Sequence, residues 1–288
     1  MTNTIVVLIV LIVSVFAEQR VLDVLRNREI TKTEMRLSGA KLVEYLNSKQ
    51  GFFKAKLNPR FSEMSLAEKR MQMGVRRVRL DERARNNLSP TRFADIPIPS
   101  SFDSREAWPE CPSIGTIRDQ SSCGSCWAVG AAEAISDRIC IASNGSLPVL
   151  ISAEDILTCC DFCGDGCYGG IPYDAFQFWV DQGVVSGGNY GDKSTCQPYP
   201  FENCEHHTTG KFGACGDFYD TPDCSSSCQD GYATAYDKDK HFGKSVYGVD
   251  SDVSAIQKEI LLHGPVEAAF TVYEDFEHYS SGVYVVRS

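Results

Sequence analysis

The first 110 residues contain no cysteine, although the chain of 288 residues carries 13. Histidine is scarce, at five positions, 206, 207, 241, 263 and 278. Long apolar runs are scarcer: outside Ile5 to Val13 no stretch approaches the length that crosses a bilayer. Ile5 to Val13 is itself too short to span, and Val15-Phe16-Ala17 supplies the small residue wanted at a signal-peptidase site, although no basic residue precedes the run. Residues 1–17 therefore read as a signal peptide, and the remainder is expected to be soluble in the secretory pathway, with no membrane partner after cleavage and no nucleic-acid partner.

Charge is divided along the chain. Residues 18–97 carry 18 Lys and Arg against 10 Asp and Glu, a net of +8, whereas residues 98–288 carry 10 against 28, a net of −18. A basic segment joined to an acidic body is the arrangement expected of a pro-segment that docks on its own enzyme. Within it Leu42, Tyr45 and Leu46 make an amphipathic helical face, Ser65-Leu66-Ala67-Glu68 reads as a capping box, and Gly51-Phe52-Phe53 offers an aromatic anchor. Lys69-Arg70 and Arg76-Arg77 are exposed-looking basic pairs. Ile96-Pro97-Ile98-Pro99 reads as an extended linker, because each Pro keeps its predecessor out of helix, and the processing boundary is placed there.

The chemistry centres on Asp119-Gln120-Ser121-Ser122-Cys123-Gly124-Ser125-Cys126-Trp127. After it Ala128, Ala132, Ile135 and Ile139 recur at helical spacing, which puts Cys126 at a helix N-terminus. Unpaired N–H groups and the helix dipole there favour thiolate, so a lowered pKa is expected. The side-chain amide of Gln120 and the backbone N–H of Cys126 would form a two-donor oxyanion hole, a device worth a few kcal/mol of barrier per donor. Two other readings compete: a pair of structural cysteines, and a Cys-x-x-Cys redox motif.

Thirteen cysteines leave one thiol unpaired if the rest form six disulfides. The cluster Cys159-Cys160, Cys163 and Cys167 has a zinc alternative with His206 and His207, but the oxidising compartment argues against it; no metal and no cofactor is expected. Glycines between Gly164 and Gly170 would let an extended substrate pair with Gly169 and Gly170, with Ile171 and Pro172 as an apolar wall. Ala175 to Val180 reads as a core helix and 187–243 as a long turn-rich region holding five cysteines. Ala268 to Tyr273 and Gly282 to Val286 read as strands. Asn87 and Asn144 lie in glycosylation sequons.

From Ile98 onward the chain resembles the papain (C1) family of cysteine proteases, in its cathepsin B-like branch. The resemblance runs through Ser101 to Arg105, Trp108-Pro109, Cys111-Pro112, Ile117 to Gln120, Cys123 to Trp127, Glu133 to Cys140, Ser152 to Asp155, Cys204-Glu205-His206-His207, Gly264 to Glu267 and Ser281 to Tyr284. It implies an α+β, two-lobed fold with an N-terminal propeptide, the helical lobe over about 109–244 and the β lobe from about 245. It implies disulfides Cys111–Cys140, Cys123–Cys167, Cys159–Cys224, Cys160–Cys163, Cys196–Cys228 and Cys204–Cys215. It makes Cys126 the nucleophile, Gln120 the oxyanion donor, and Gly169, Gly170, Ile171, Pro172, Trp127, His206 and His207 substrate-binding residues. His206 and His207 match an occluding loop that binds a substrate's terminal carboxylate and so adds peptidyl-dipeptidase activity; Asp119 matches the acid that pins this loop through His206. Ser121, Phe212 and Ile171 depart from the pattern, standing where the family has Gly, Arg and Tyr.

The resemblance further implies protein and peptide substrates, inhibition by the protein's own propeptide and by cystatin-type inhibitors, a monomer, and lysosomal or extracellular residence. The thiolate needs an imidazole and an orienting Asn. His263 lies about the right distance along the chain, but Leu262-His263-Gly264-Pro265-Val266 matches a family stretch with no catalytic histidine. The resemblance places the catalytic pair shortly beyond Gly282-Val283-Tyr284, past Ser288. The expectation is therefore either a part of a longer active protease or a short, non-catalytic, disulfide-stapled product that binds peptides or inhibitors.

Overall fold

The computed structural model describes residues 31–62, 64–76, 82–205 and 209–285; the expected signal peptide, Arg77, His206, His207 and Val286 lie outside them. The chain divides into two compact units, residues 1–63 with 270–288, and residues 64–269. Neither division falls at the expected boundaries near 97 and 244. Residues 64–97 share a unit with the body that follows them, and the segment after Phe93 runs without regular structure through both prolines.

In the first unit helix α1 (Gly39–Lys49) buries Leu42 and Leu46, one turn apart, as its periodicity requires. Two amide side chains then set the strand that follows. Asn47 donates to and accepts from the backbone of Ala55, and Gln50 Oε1 accepts from Phe52 and Phe53 N–H. Strand β1 (Phe53–Ala55) pairs antiparallel with β2 (Tyr279–Gly282). Phe53 is the anchor anticipated from sequence: it is buried, with ring centroids 5.3 Å from Tyr284 and 6.3 Å from Tyr279.

The strands expected over 268–273 and 282–286 do not form as read. Residues 264–273 have no strand assignment, and the second strand lies earlier, over Tyr279–Gly282. Side-chain propensity only permits a strand; a neighbour's backbone makes one. Among the described residues β2 has such a neighbour in β1, while 264–273 has none and leaves Phe270 exposed.

The second unit is helical and heavily cross-linked. Helix α2 (Leu66–Met71) opens with the capping box: Ser65 Oγ accepts from Glu68 N–H, and the Glu68 carboxylate accepts from Ser65 N–H. Helix α3 (Cys126–Ala142) runs through the core. Ala128, Ala132 and Ile135 are sealed, and so are Trp127, Ala131 and Cys140, so burial extends well beyond one face. Small alanines let helices α4 (Ala153–Cys159) and α5 (Pro172–Asp181) pack directly on it. Helix α6 (Val253–His263) starts at an Asp252 side-chain cap and ends at Gly264, whose φ of +90° suits glycine.

The disulfides are Cys111–Cys140, Cys123–Cys167, Cys159–Cys224, Cys160–Cys163, Cys196–Cys228 and Cys204–Cys215, leaving Cys126 free. Every cysteine of the 159–167 cluster is thereby committed to sulfur, which removes the zinc alternative. Among its described residues the long region 187–243 has one short helical turn, Tyr236–Asp239, and it is held by cross-links and buried polar groups. Asp155, fully buried, accepts from Val185 N–H, Tyr236 Oη and Lys240 Nζ, so neither carboxylate oxygen is left without a donor by its burial. Among the described residues no helix is long and apolar enough to cross a membrane.

Candidate active site

Cys126 is the first residue of α3, after Ser125. Side chains fix the approach to it. Ser125 Oγ and Tyr199 Oη lie 2.6 Å apart, Tyr199 Oη donates to the Gln120 carbonyl, and Gly124 N–H donates to the Cys167 carbonyl beside the Cys123–Cys167 bridge. Gln120 Nε2 donates to Cys123 O at 2.7 Å, which orients the amide, and to Gln72 O at 3.1 Å. The predicted oxyanion donor therefore holds a carbonyl already, and it belongs to the segment N-terminal of the linker.

That segment continues over Cys126. Gly170 N–H donates to Gly74 O at 2.8 Å and Arg76 N–H to Gly170 O at 3.0 Å, so Val75 pairs with Gly170 as a parallel bridge. A Cβ on Gly74 would overlap the Gly124 carbonyl and stand 3.3 Å from Cys126 Sγ, so only glycine passes here. Burial pushes the Cys126 thiol above its ordinary value, and the Glu267 carboxylate adds to this; amides of Gly74, Trp127 and Val75 pull the other way without reversing it. The lowered pKa expected from the helix terminus is therefore not what this arrangement produces. Under the 72–76 segment desolvation is the largest influence on the thiol.

Gly170 is pinched between this segment and the core: a Cβ there would run into the Trp127 indole. Trp127 is 0 % exposed and donates from Nε1 to Gly166 O at 3.1 Å. With residues 72–76 in place it forms the floor beneath the glycine loop. Gly169 adopts φ +105°, and its would-be Cβ would crowd Gly74 O. Ile171 and Pro172, the cap and first residue of α5, are partly exposed beside the loop.

Asp119 anchors the 204–215 loop through the backbone. Its Oδ1 accepts from Ser121 N–H at 2.8 Å and its Oδ2 from Cys204 N–H at 3.2 Å. Within the loop Glu205 pairs with Ala214, and its carboxylate accepts from Phe212 N–H. The Phe212 ring is exposed under Lys211 Nζ. Ser121, where the family has glycine, adopts φ +55° and lies 3.3 Å from Cys204 Sγ through its hydroxyl.

Sequence reasoning missed Glu267. Its Oε2 is sealed with no hydrogen-bond partner, burial pushes its carboxyl well above the ordinary range, and when ionised it raises the Cys126 thiol. The signal available was Gly130, one helical turn after Cys126 on the same face: a Cβ there would lie 3.1 Å from Glu267 Oε1. No histidine of the described residues is among the groups that shift the Cys126 thiol; His263 is exposed at the end of α6. Of the sequon residues, Asn144 is exposed at φ +50°, whereas Asn87 is exposed but its acceptor-motif Ser89 is buried.

A free cysteine at a helix start, an amide donor six residues earlier and a strand-pairing glycine loop are the arrangement a thiol peptidase requires. The papain family cysteine protease profile matches residues 98–288, and the chain belongs to that family. Within it the similarity is to cathepsin B-like enzymes. The chain is 51 % identical over 273 residues to cathepsin B-like cysteine proteinase 6 of Caenorhabditis elegans, covering 93 % of this chain and 72 % of that protein. It is 50 % identical over 236 residues to a cathepsin B-like cysteine proteinase of Schistosoma japonicum, covering 81 % and 68 %. Among solved structures, procathepsin B S9 from Trypanosoma congolense matches with TM-score 0.69 at 33 % identity, covering 88 % of this chain and 77 % of that one.

Proposed function

We propose that this cathepsin B-like cysteine peptidase is held as its own zymogen, with residues up to about 97 as the inhibitory pro-segment. The observation that carries this is the Gln72 carbonyl on Gln120 Nε2, with Gly74 and Val75 lying over Cys126. Those contacts occupy the places where a substrate carbonyl and backbone would bind. Once the segment leaves, Cys126 Sγ attacks the peptide carbonyl, and Gln120 Nε2 with the Cys126 N–H holds the oxyanion. A histidine oriented by Asn, placed by family resemblance beyond Tyr284, takes the thiol proton and returns it to the leaving amine; water then releases the acyl-enzyme. Substrate backbone takes over the Gly170 pairing.

Finer features follow the same reading. His206 and His207 on the loop anchored by Asp119 would bind a terminal carboxylate and release dipeptides, while an exposed Phe212 in place of a clamping arginine favours internal cleavage. Residence is in the secretory pathway, lysosomal or extracellular, as a monomer open to cystatin-type inhibitors. Asn144 carries a glycan, and modification of Asn87 must precede folding, because Ser89 is then sealed. Acid favours release, because protonating carboxylates on the −18 body weakens its attraction for the +8 segment that Arg76, Arg83 and Arg92 hold to Asp165, Asp174 and Asp250.

The test is alkylation of Cys126 with iodoacetamide, before and after the segment is removed at acid pH, alongside cleavage of internal and C-terminal peptide substrates. Labelling that is slow before and fast after, with turnover, supports the zymogen reading. Equal labelling rates would sink it; fast labelling without turnover would support the non-catalytic, peptide-binding alternative instead.

A further inference from the structure

The contacts over Cys126 leave unexplained a second set made by residues 87–93, centred on a buried carboxylate the mechanism does not use. Glu259, on α6, is fully buried. Its Oε1 accepts from both terminal nitrogens of Arg138 at 3.1 Å and from Tyr247 Oη at 2.7 Å. Its Oε2 accepts from Ser89 Oγ at 2.8 Å, and Thr91 Oγ1 lies 2.7 Å from that hydroxyl. A buried carboxylate keeps its charge only when donors cover both oxygens. Here the cover of one oxygen comes from the segment that processing removes.

The local sequence builds this contact. Ser89 caps the turn Pro90–Phe93, accepting from Thr91 N–H, with Pro90 at the first turn position, where its missing N–H costs nothing. Because Pro90 keeps Ser89 extended, the chain before it pairs with the body: Ser89 N–H donates to Gly248 O and Gly248 N–H to Asn87 O, both at 2.9 Å. Asn87 Nδ2 adds a bond to Val246 O, Lys258 Nζ reaches Arg92 O, and Arg92 faces Asp250. A Cβ on Gly248 would overlap the Ala84 carbonyl, so the strand position is also shape-selected.

We propose that the α6 surface around Glu259 is a docking site, separate from the cleft, for an extended Ser-Pro-Thr segment. Residues 87–93 are its resident occupant and hold their half of the pro-segment independently of the half over Cys126. Arg138 lies twelve residues after Cys126 on α3, about 18 Å along the helix, so the two contacts share a rigid element and no side chain. The inference rests on residues 64–97 being the pro-segment, but its test reads the contacts themselves and needs no turnover.

The experiment is amide hydrogen exchange on the full chain and two variants. In Ser89→Ala/Thr91→Val, Ser89 and Gly248 amides are expected to lose about tenfold or more of their protection, while the Gly170 amide, bonded to Gly74, keeps its own. In Gly74→Ala the pattern reverses: Gly170 loses protection and Gly248 keeps it. Loss at both places in either variant, or no loss at Gly248 in the first, overturns the proposal. As a second reading, a labelled peptide of residues 82–97 is titrated onto the processed protein with Cys126 alkylated. Binding that the Ser89→Ala/Thr91→Val peptide lacks supports the site; equal binding of both peptides, or of neither, refutes it.

Discussion

The two ends of helix α3 meet the pro-segment by opposite means. Over Cys126 the contacts of residues 72–75 are backbone or amide: Gly74, Gly124 and Gly170 approach so closely that no Cβ fits, and the recognised groups are carbonyls and N–H. Around Arg138 backbone pairing at Gly248 is joined by side chains, two hydroxyls completing the shell of a buried ion pair. A peptidase cleft has to accept many sequences, so it reads what all peptides share. A surface met by one segment is free to read side chains. The sites should therefore fail differently, one when atoms are added and the other when they are removed.

The largest effect belongs to removal. Glu259→Ala strips the partner from Arg138, whose side chain is only 19 % exposed, and is expected to cost about 3–5 kcal/mol, read as a fall in the chemical-denaturation midpoint. Glu259→Gln, which keeps shape and part of the hydrogen bonding, should cost less. If alanine and glutamine behave alike and mildly, the ion pair is not what this region depends on.

Addition is the perturbation that matters at the cleft. Gly170→Ala drives a methyl into the Trp127 ring and is expected to cost about 1–3 kcal/mol and to speed alkylation of Cys126 by loosening the 72–76 segment. The same substitution at Gly51, around which space is open, should change neither measurement.

Acid should separate the two ends again. Burial pushes Glu259 up, but hydrogen bonds from Tyr247, Ser89 and Thr91 and the Arg138 charge more than offset it, so its carboxyl is held below the ordinary 4.5. A depressed carboxyl contributes stability that is complete above its unfolded value and lost as pH falls through the folded one. Protection of Gly248 should thus persist from neutrality to about pH 5 and decline below about 4.5. Cys126 has the opposite sign. Its raised thiol should alkylate slowly at neutral pH, and its rate profile should move to lower pH once the covering segment has gone.

How much of this was legible in the sequence follows the range of the interactions. Local patterns read well: the capping box at Ser65, the helix start at Cys126, the paired leucines of α1 and the extended linker all depend on residues a few positions apart. The closeness of Gln120 to the start of α3 also read well, because both sit within one short motif and the Gln120 amide donates to Cys123 O. What did not read were consequences of distant partners. The strand expected over 268–273 lacked a neighbour, Cys126 lay under residues fifty positions upstream, and Trp127 proved to be floor because Gly170 closes over it. Glu259 gave no hint, since Arg138, Tyr247 and Ser89 converge on it from three separate stretches.

The smallest effect concerns Ser121, where a rule of local backbone chemistry is broken. Its φ of +55° is a conformation in which a Cβ is crowded, costing roughly 1 kcal/mol relative to glycine. Against this the hydroxyl gains one contact with Cys204 Sγ, a weak acceptor, at 3.3 Å. The strain and the contact are close in size, and strain is the larger. Ser121→Gly is therefore expected to be neutral to slightly stabilising, by up to about 0.5–1 kcal/mol after the added flexibility of the unfolded glycine is counted. The loop anchored by Asp119 should be released slightly, since the Cys204 end loses one tie and keeps the bond from its N–H to Asp119 Oδ2. Exchange at the Cys204 amide reads that loosening directly. A substitution that destabilises by more than about 1 kcal/mol would show that the hydroxyl, not the backbone, governs this turn.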